Sequence, residues 1–187
     1  MIFLIYACGL RISEALNLKI KDVDFEQNLL SLWNTKFHKE RLVPFSPTVA
    51  HKLKNYLALR GKLYPPDGPE AAFFCHGRGK YRNAGPIDVR FRQLLIGLGL
   101  AKPIKGPRLH DLRHTFAVHR LYKWYQEGHN PLNKLPLLST YMGHATVENT
   151  QVYLTMTTAL LREADRRFQA GFEDLARKPL ARVFKAL

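Results

Sequence analysis

Six polar side chains stand in stretches that are otherwise apolar or turn-like: Arg11, Lys36, His110, Arg113, His144 and Tyr153. Arg11 opens a helical stretch directly after a hydrophobic run. His110 and Arg113 are spaced i and i+3, so they share one helix face. His144 follows Gly143, and Tyr153 comes shortly after it. As residue types these suit work on an anion. Guanidinium is always charged and bonds two oxygens at once, and imidazole moves protons near neutral pH. A phenol, with a reference pKa of about 10, becomes a nucleophile only where its neighbours help it lose a proton. Singly, each residue has an ordinary explanation, because structural networks also recruit polar groups.

Charge points the same way. The chain has 187 residues, 46% hydrophobic and 24% charged, a globular composition that excludes a disordered tail, a collagen-like fibre or a mucin-like stalk. Its 29 Lys and Arg against 15 Asp and Glu leave a net charge of +14. An excess this large on one small domain favours a polyanion, because each cation near a phosphate releases condensed counterions. Cys8 and Cys75 cannot build a disulfide framework, so a reducing, cytoplasmic setting is expected. The apolar run over residues 1–10 is too short to span a bilayer. No histidine and cysteine spacing fits a zinc site, and no carboxylate cluster would hold two magnesium ions, so no metal and no cofactor are expected.

The elements that must position these residues follow from pattern. Residues 1–7 read as a core segment, and Ile12, Ala15, Leu16 and Leu18 recur at helical spacing. Residues 29–33 and 41–45 are β-type runs flanking a basic turn over 34–40, which predicts a hairpin. Ser46-Pro47 is an N-cap followed by proline at the first helical position, opening a helix to about residue 63. Residues 73–75 suggest a short strand and 76–85 a basic loop, and Pro86 opens another helix. A long helix is predicted over 109–127, a turn over 128–133, and a short helix over 135–142 closed by Gly143. Thr146 is a candidate N-cap for a helix over 147–154, and 158–175 forms a last amphipathic helix. Trp33, Trp124 and the phenylalanines are expected in the core. The fold class is α+β, mainly α, with a small antiparallel β-sheet.

Four strings occur in order: Gly9-Leu10-Arg11-Ile12-Ser13-Glu14, His110-Asp111-Leu112-Arg113-His114-Thr115-Phe116-Ala117, Tyr141-Met142-Gly143-His144 and Thr150-Gln151-Val152-Tyr153. They resemble the catalytic boxes of the tyrosine recombinases, or phage integrases. Lys39-Glu40-Arg41-Leu42-Val43-Pro44-Phe45 resembles the strand after that family's hairpin lysine, which would be Lys36. The resemblance runs from residue 1 to about 175. It implies that Arg11 and Arg113 clamp the scissile phosphate, that His144 donates to it, and that His110 assists proton transfer. Lys36 would protonate the departing 5′-oxygen, and Tyr153 would attack to give a 3′-phosphotyrosyl link. Glu14 would brace the site without touching DNA. His38 is read as a loop residue that contacts phosphate or solvent, and His114 as a packing or supporting residue.

The resemblance implies a catalytic domain over 1–176 with a basic tail over 177–187. Its partner would be double-stranded DNA in the nucleoid, with self-association as a tetramer. The helix over 158–175 would dock on a neighbour or pack on its own domain. Members of the family carry an N-terminal DNA-gripping domain that this sequence lacks, so the chain reads as truncated. Two other readings stay open: a tyrosine-class topoisomerase, and a non-catalytic DNA-binding remnant.

Overall fold

The first helix, α1 (Ile2–Cys8), buries Leu4, Ile5 and Cys8 and stops at Gly9, whose φ of 61° is left-handed. Glycine is needed there twice over: the backbone conformation excludes most side chains, and a Cβ would lie 2.5 Å from the Phe116 ring. The chain turns into α2 (Ile12–Asn17), where the Glu14 carboxylate caps the Arg11 N–H at 2.7 Å. A 3-10 turn (Ile20–Asp22) leads into a three-stranded antiparallel sheet in the order β1 (Val23–Asp24), β2 (Leu29–Leu32) and β3 (Arg41–Pro44). The computed structural model describes residues 1–33, 40–77, 79–81, 83–100 and 106–155. The hairpin turn with Lys36 and His38, the helix expected over 158–175 and the tail lie outside them.

The expected strands are present, paired Leu30 to Val43 and Leu32 to Arg41. Trp33 departs from expectation: it is 55% exposed, whereas Trp124 is buried. Side chains alternate along a strand; Leu30 and Leu32 take the core face, which leaves the next residue facing outward.

Ser46 accepts from the Val49 N–H, Pro47 takes the first helical position, and α3 runs Pro47–Leu63 as predicted. The short strand anticipated at 73–75 is displaced. Phe73 and Phe74 pack in the core beside Tyr56, and a small hairpin joins β4 (Cys75–His76) to β5 (Gly79–Lys80) within the stretch read as a loop. Then come α4 (Gly85–Gly97) and α5 (Leu109–Gln126). The next helix, α6 (Pro131–Met142), starts one turn earlier than expected. Asn130 caps it by accepting from the Leu132 N–H at 2.9 Å, and Pro131 is pre-set for the first turn. The last described helix is α7 (Glu148–Thr155).

One core joins α1, α2, the sheet and α3; a second joins α5, α6 and α7 through Ala117, Leu121, Leu138, Met142 and Tyr153. The α1–α5 packing and the partly buried Phe116 and Tyr141 tie the two together. The boxes far apart in sequence converge at this seam. Among the described residues no helix is long and apolar enough to cross a membrane.

Candidate active site

The C-terminal end of α6 organises the centre. Gly143 is left-handed at φ 65°, its N–H reaches the Thr140 carbonyl and the His144 N–H reaches the Ser139 carbonyl, both at 3.0 Å. This is the Schellman arrangement, and it fixes where His144 leaves the helix. A helix end still leaves its last carbonyls without intrahelical partners. Here three arginines from three other elements take them in succession. Arg41 Nε donates to the Tyr141 carbonyl at 3.0 Å, Arg113 Nη2 to the Met142 carbonyl at 2.6 Å, and Arg11 Nη2 to the Gly143 carbonyl at 2.5 Å. Arg113 Nη1 also donates to the Gly9 carbonyl. Cations at the negative end of a helix dipole are favoured.

One carboxylate holds the cluster. Glu14 Oε1 accepts from Arg11 Nη1 at 2.8 Å and Arg41 Nη1 at 2.7 Å, and its Oε2 accepts from Arg41 Nη2 at 2.8 Å and the Arg11 N–H. Burial alone would raise the Glu14 pKa. The hydrogen bonds and charge of Arg41, with those of Arg11, outweigh that and leave it below the usual carboxylate value. Arg113 is 2% exposed; burial first, then Arg11 and Arg41, push it down to about 10, so it stays charged at neutral pH.

The sequence singled out Arg11, Glu14 and Arg113, and the structure brings them together. Arg41 was read only as part of a strand. Its position as the first residue of β3 is the only signal, because its partners lie far away in the chain. His144 is half-buried beside the cluster; burial, then Arg113, Arg11, Arg41 and His114, lower its pKa to about 4. Its Nδ1 is 2.8 Å from Oγ1 of Thr150, a fully buried residue.

Tyr153 is 3% exposed and its ring packs in the second core, with the His144 ring 6.2 Å away centroid to centroid. Burial raises its pKa, while the charges of Arg113 and Arg11 pull the other way. His110 is exposed, and its ring stands edge-on to His114 at 4.6 Å. Its pKa is lowered by burial, then by His114 and Arg113. The residue that meets the tyrosine hydroxyl is His114, with Nδ1 3.2 Å from Tyr153 Oη. It lies four residues after His110, on the same helix face, and that spacing was the signal for it. Lys36 lies outside the described residues. Among the described residues no group of three or more His, Cys, Asp or Glu side chains is placed to hold a metal ion.

Taken together, a buried phenol, three imidazoles and three guanidiniums against one carboxylate can stabilise added negative charge beside the phenol. Comparison with known proteins agrees in kind. The model of the phage integrase family matches residues 1–159. A putative integrase/recombinase of Sinorhizobium fredii, y4rB, is 41% identical over 173 residues, covering 91% of this chain and 55% of the relative. The tyrosine recombinase XerC of Chlamydia caviae is 33% identical over 160 residues, covering 86% and 47%. The chain thus spans about half the length of these relatives. Among solved structures, that of XerA recombinase superposes with a TM-score of 0.71 at 28% identity, covering 88% of this chain and 55% of the other. The XerH site-specific recombinase bound to its palindromic difH substrate, a post-cleavage complex, gives 0.67 at 26%, covering 90% and 44%. The chain belongs to the phage integrase family of tyrosine recombinases.

Proposed function

We propose that this chain is the catalytic part of an enzyme that cuts and rejoins double-stranded DNA at specific sites through a covalent 3′-phosphotyrosyl intermediate on Tyr153. The observation that carries the reading is the gathering of Tyr153, His144 and three arginines around the end of α6. The +14 charge and the DNA-bound XerH neighbour support DNA as the partner.

In the attack, Tyr153 Oη bonds to phosphorus, its proton leaves to a neighbouring imidazole, and the bond to the 5′-oxygen breaks. Lys36 supplies the proton for that leaving oxygen. Arg11 and Arg113 stabilise the charge on the non-bridging oxygens, and His144 donates to the same phosphate. Losing one such fixed donor typically costs about 10²–10³ in rate. The phosphotyrosyl bond keeps the energy of the broken ester, so the reverse step rejoins the strand without a nucleotide cofactor. Glu14 holds Arg11 and Arg41 and does not touch DNA. The domain extends to about residue 176, and the active assembly on DNA is a tetramer.

The test is covalent trapping. The chain is incubated with nicked duplexes from its own genomic neighbourhood, with Tyr153→Phe beside it. An SDS-resistant adduct from the wild type, absent from the variant, is expected. DNA binding with no adduct from the wild type, and no difference between the two proteins, would refute the strand-cleaving reading in favour of a binding module.

A further inference from the structure

Three threonines in the helices of this site region use their hydroxyls differently. Thr115 donates to the Asp111 carbonyl at 2.7 Å and Thr140 to the Pro136 carbonyl at 3.0 Å, each four residues back along its own helix. That is the usual resting place for a helical hydroxyl proton. Thr150, fully buried on α7, turns instead to His144, with 2.8 Å between its Oγ1 and His144 Nδ1. This contact is the side-chain hydrogen bond on that face of the imidazole.

Which atom carries the proton in that bond decides what the other side of the ring can do. Burial first, then the charges of Arg113, Arg11, Arg41 and His114, keep the His144 ring neutral. A neutral imidazole has one N–H and one lone pair. If Nδ1 carried the proton and donated to Thr150, Nε2 would present a lone pair, which repels a phosphate oxygen. If Thr150 donates, Nδ1 is the acceptor and Nε2 carries the N–H. A partner on one ring nitrogen thus sets the state of the other, as it does for histidines that bind metals.

We propose that Thr150 is a positioning residue that donates its hydroxyl proton to His144 Nδ1 and so holds the imidazole as the Nε2–H tautomer that can donate to a phosphate oxygen. The assignment rests on the reading of His144 as a phosphate donor, and Thr150 itself touches no DNA.

The tautomer is measurable without any reaction. The full chain, labelled with 15N-histidine, is examined near neutral pH by long-range 1H–15N correlation, and the His144 signals are identified by their loss in His144→Gln. Nε2–H is expected in the wild type and in Thr150→Ser. Thr150→Val, which keeps shape and removes the hydroxyl, should shift the ring toward Nδ1–H. On nicked duplex, Thr150→Val should slow adduct formation by about 10–100-fold, the usual effect of losing the partner that orients a functional histidine. Thr150→Ser should restore the rate, and DNA affinity should not change. An Nδ1–H wild type, or an unchanged tautomer in Thr150→Val, overturns the proposal. The wild-type signal decides it even if Thr150→Val fails to fold. An Nε2–H ring in a chain that forms no adduct would uphold the Thr150 assignment while refuting strand cleavage.

Discussion

Replacing Glu14 with glutamine tests whether one carboxylate holds the arginine cluster in place. Glu14 is 7% exposed and accepts four hydrogen bonds, three of them from guanidinium groups. Glutamine keeps the shape but places an N–H₂ donor against Arg41 donors. It also leaves Arg11, Arg41 and the buried Arg113 without their negative partner. Removing one side of a buried ion pair costs about 3–5 kcal/mol. For a chain of this size each kcal/mol moves Tm by about 2–4 °C, so the midpoint should fall by about 6–20 °C. Thermal unfolding followed by circular dichroism measures this directly. The pH dependence sharpens the test. Because the folded-state pKa of Glu14 is depressed, its contribution is fully present above its ordinary value of 4.5 and is lost as pH falls through the folded value. The gap between wild type and Glu14→Gln should therefore be flat above about pH 5 and narrow below it. A midpoint within about 2 °C of wild type at neutral pH, or a gap that persists in acid, would refute the assignment.

Two further outcomes follow from the same geometry. Gly143→Ala places a Cβ in left-handed backbone, 2.7 Å from Arg41 Nη1, so it should destabilise by about 1–3 kcal/mol from the backbone alone. Denaturant unfolding should show that shortening Arg41 by Arg41→Ala makes the second substitution less than additive; strict additivity would mean the two residues do not meet. Protonating His144 should oppose folding, because its folded-state pKa near 4 lies below the ordinary 6.5. Stability is then complete above about pH 6.5 and declines as pH falls toward 4. His144→Gln should flatten that part of the curve, and an unchanged slope would show that the ring is not buried against the arginines.

What the sequence makes legible here is local. The Ser46-Pro47 start of α3, the Gly143 helix end and the β-type runs of β2 and β3 all depend on near neighbours, so pattern reading reaches them. The start of α6 escapes because Asn130-Pro131 looks like a turn until the side-chain cap is seen. The β4–β5 hairpin escapes because two residues per strand carry no period. In the site, the named boxes supply Arg11, Glu14, Arg113, His144 and Tyr153, but not what each one touches. Arg41 bonds across 27 residues to Glu14 and across 100 to Tyr141, and such pairings are set by tertiary packing alone. His114 meets Tyr153 for the same reason: α5 and α7 are brought together only by the second core.

The choice of acceptors in the cluster explains how it can stay positive and still be rigid. Three carboxylates would orient three arginines but cancel their charge. Carbonyls at the end of a helix orient a guanidinium as well, and being neutral they leave its charge in place. Arg113 is held entirely this way, by Gly9 and Met142, while Glu14 balances only part of the charge of Arg11 and Arg41. Burial first, and then this residual positive potential, push Arg113 and His144 toward neutrality, and the charges of Arg113 and Arg11 favour the phenolate of Tyr153 against the cost of burial. A phosphodiester is attracted to such a site, and the added charge of a pentavalent transition state more so. Burial and the same potential deny His144 a second proton, so on the proposed reading its usefulness as a donor depends on which nitrogen carries the single N–H. That is why a buried threonine hydroxyl beside Nδ1 matters to this fold.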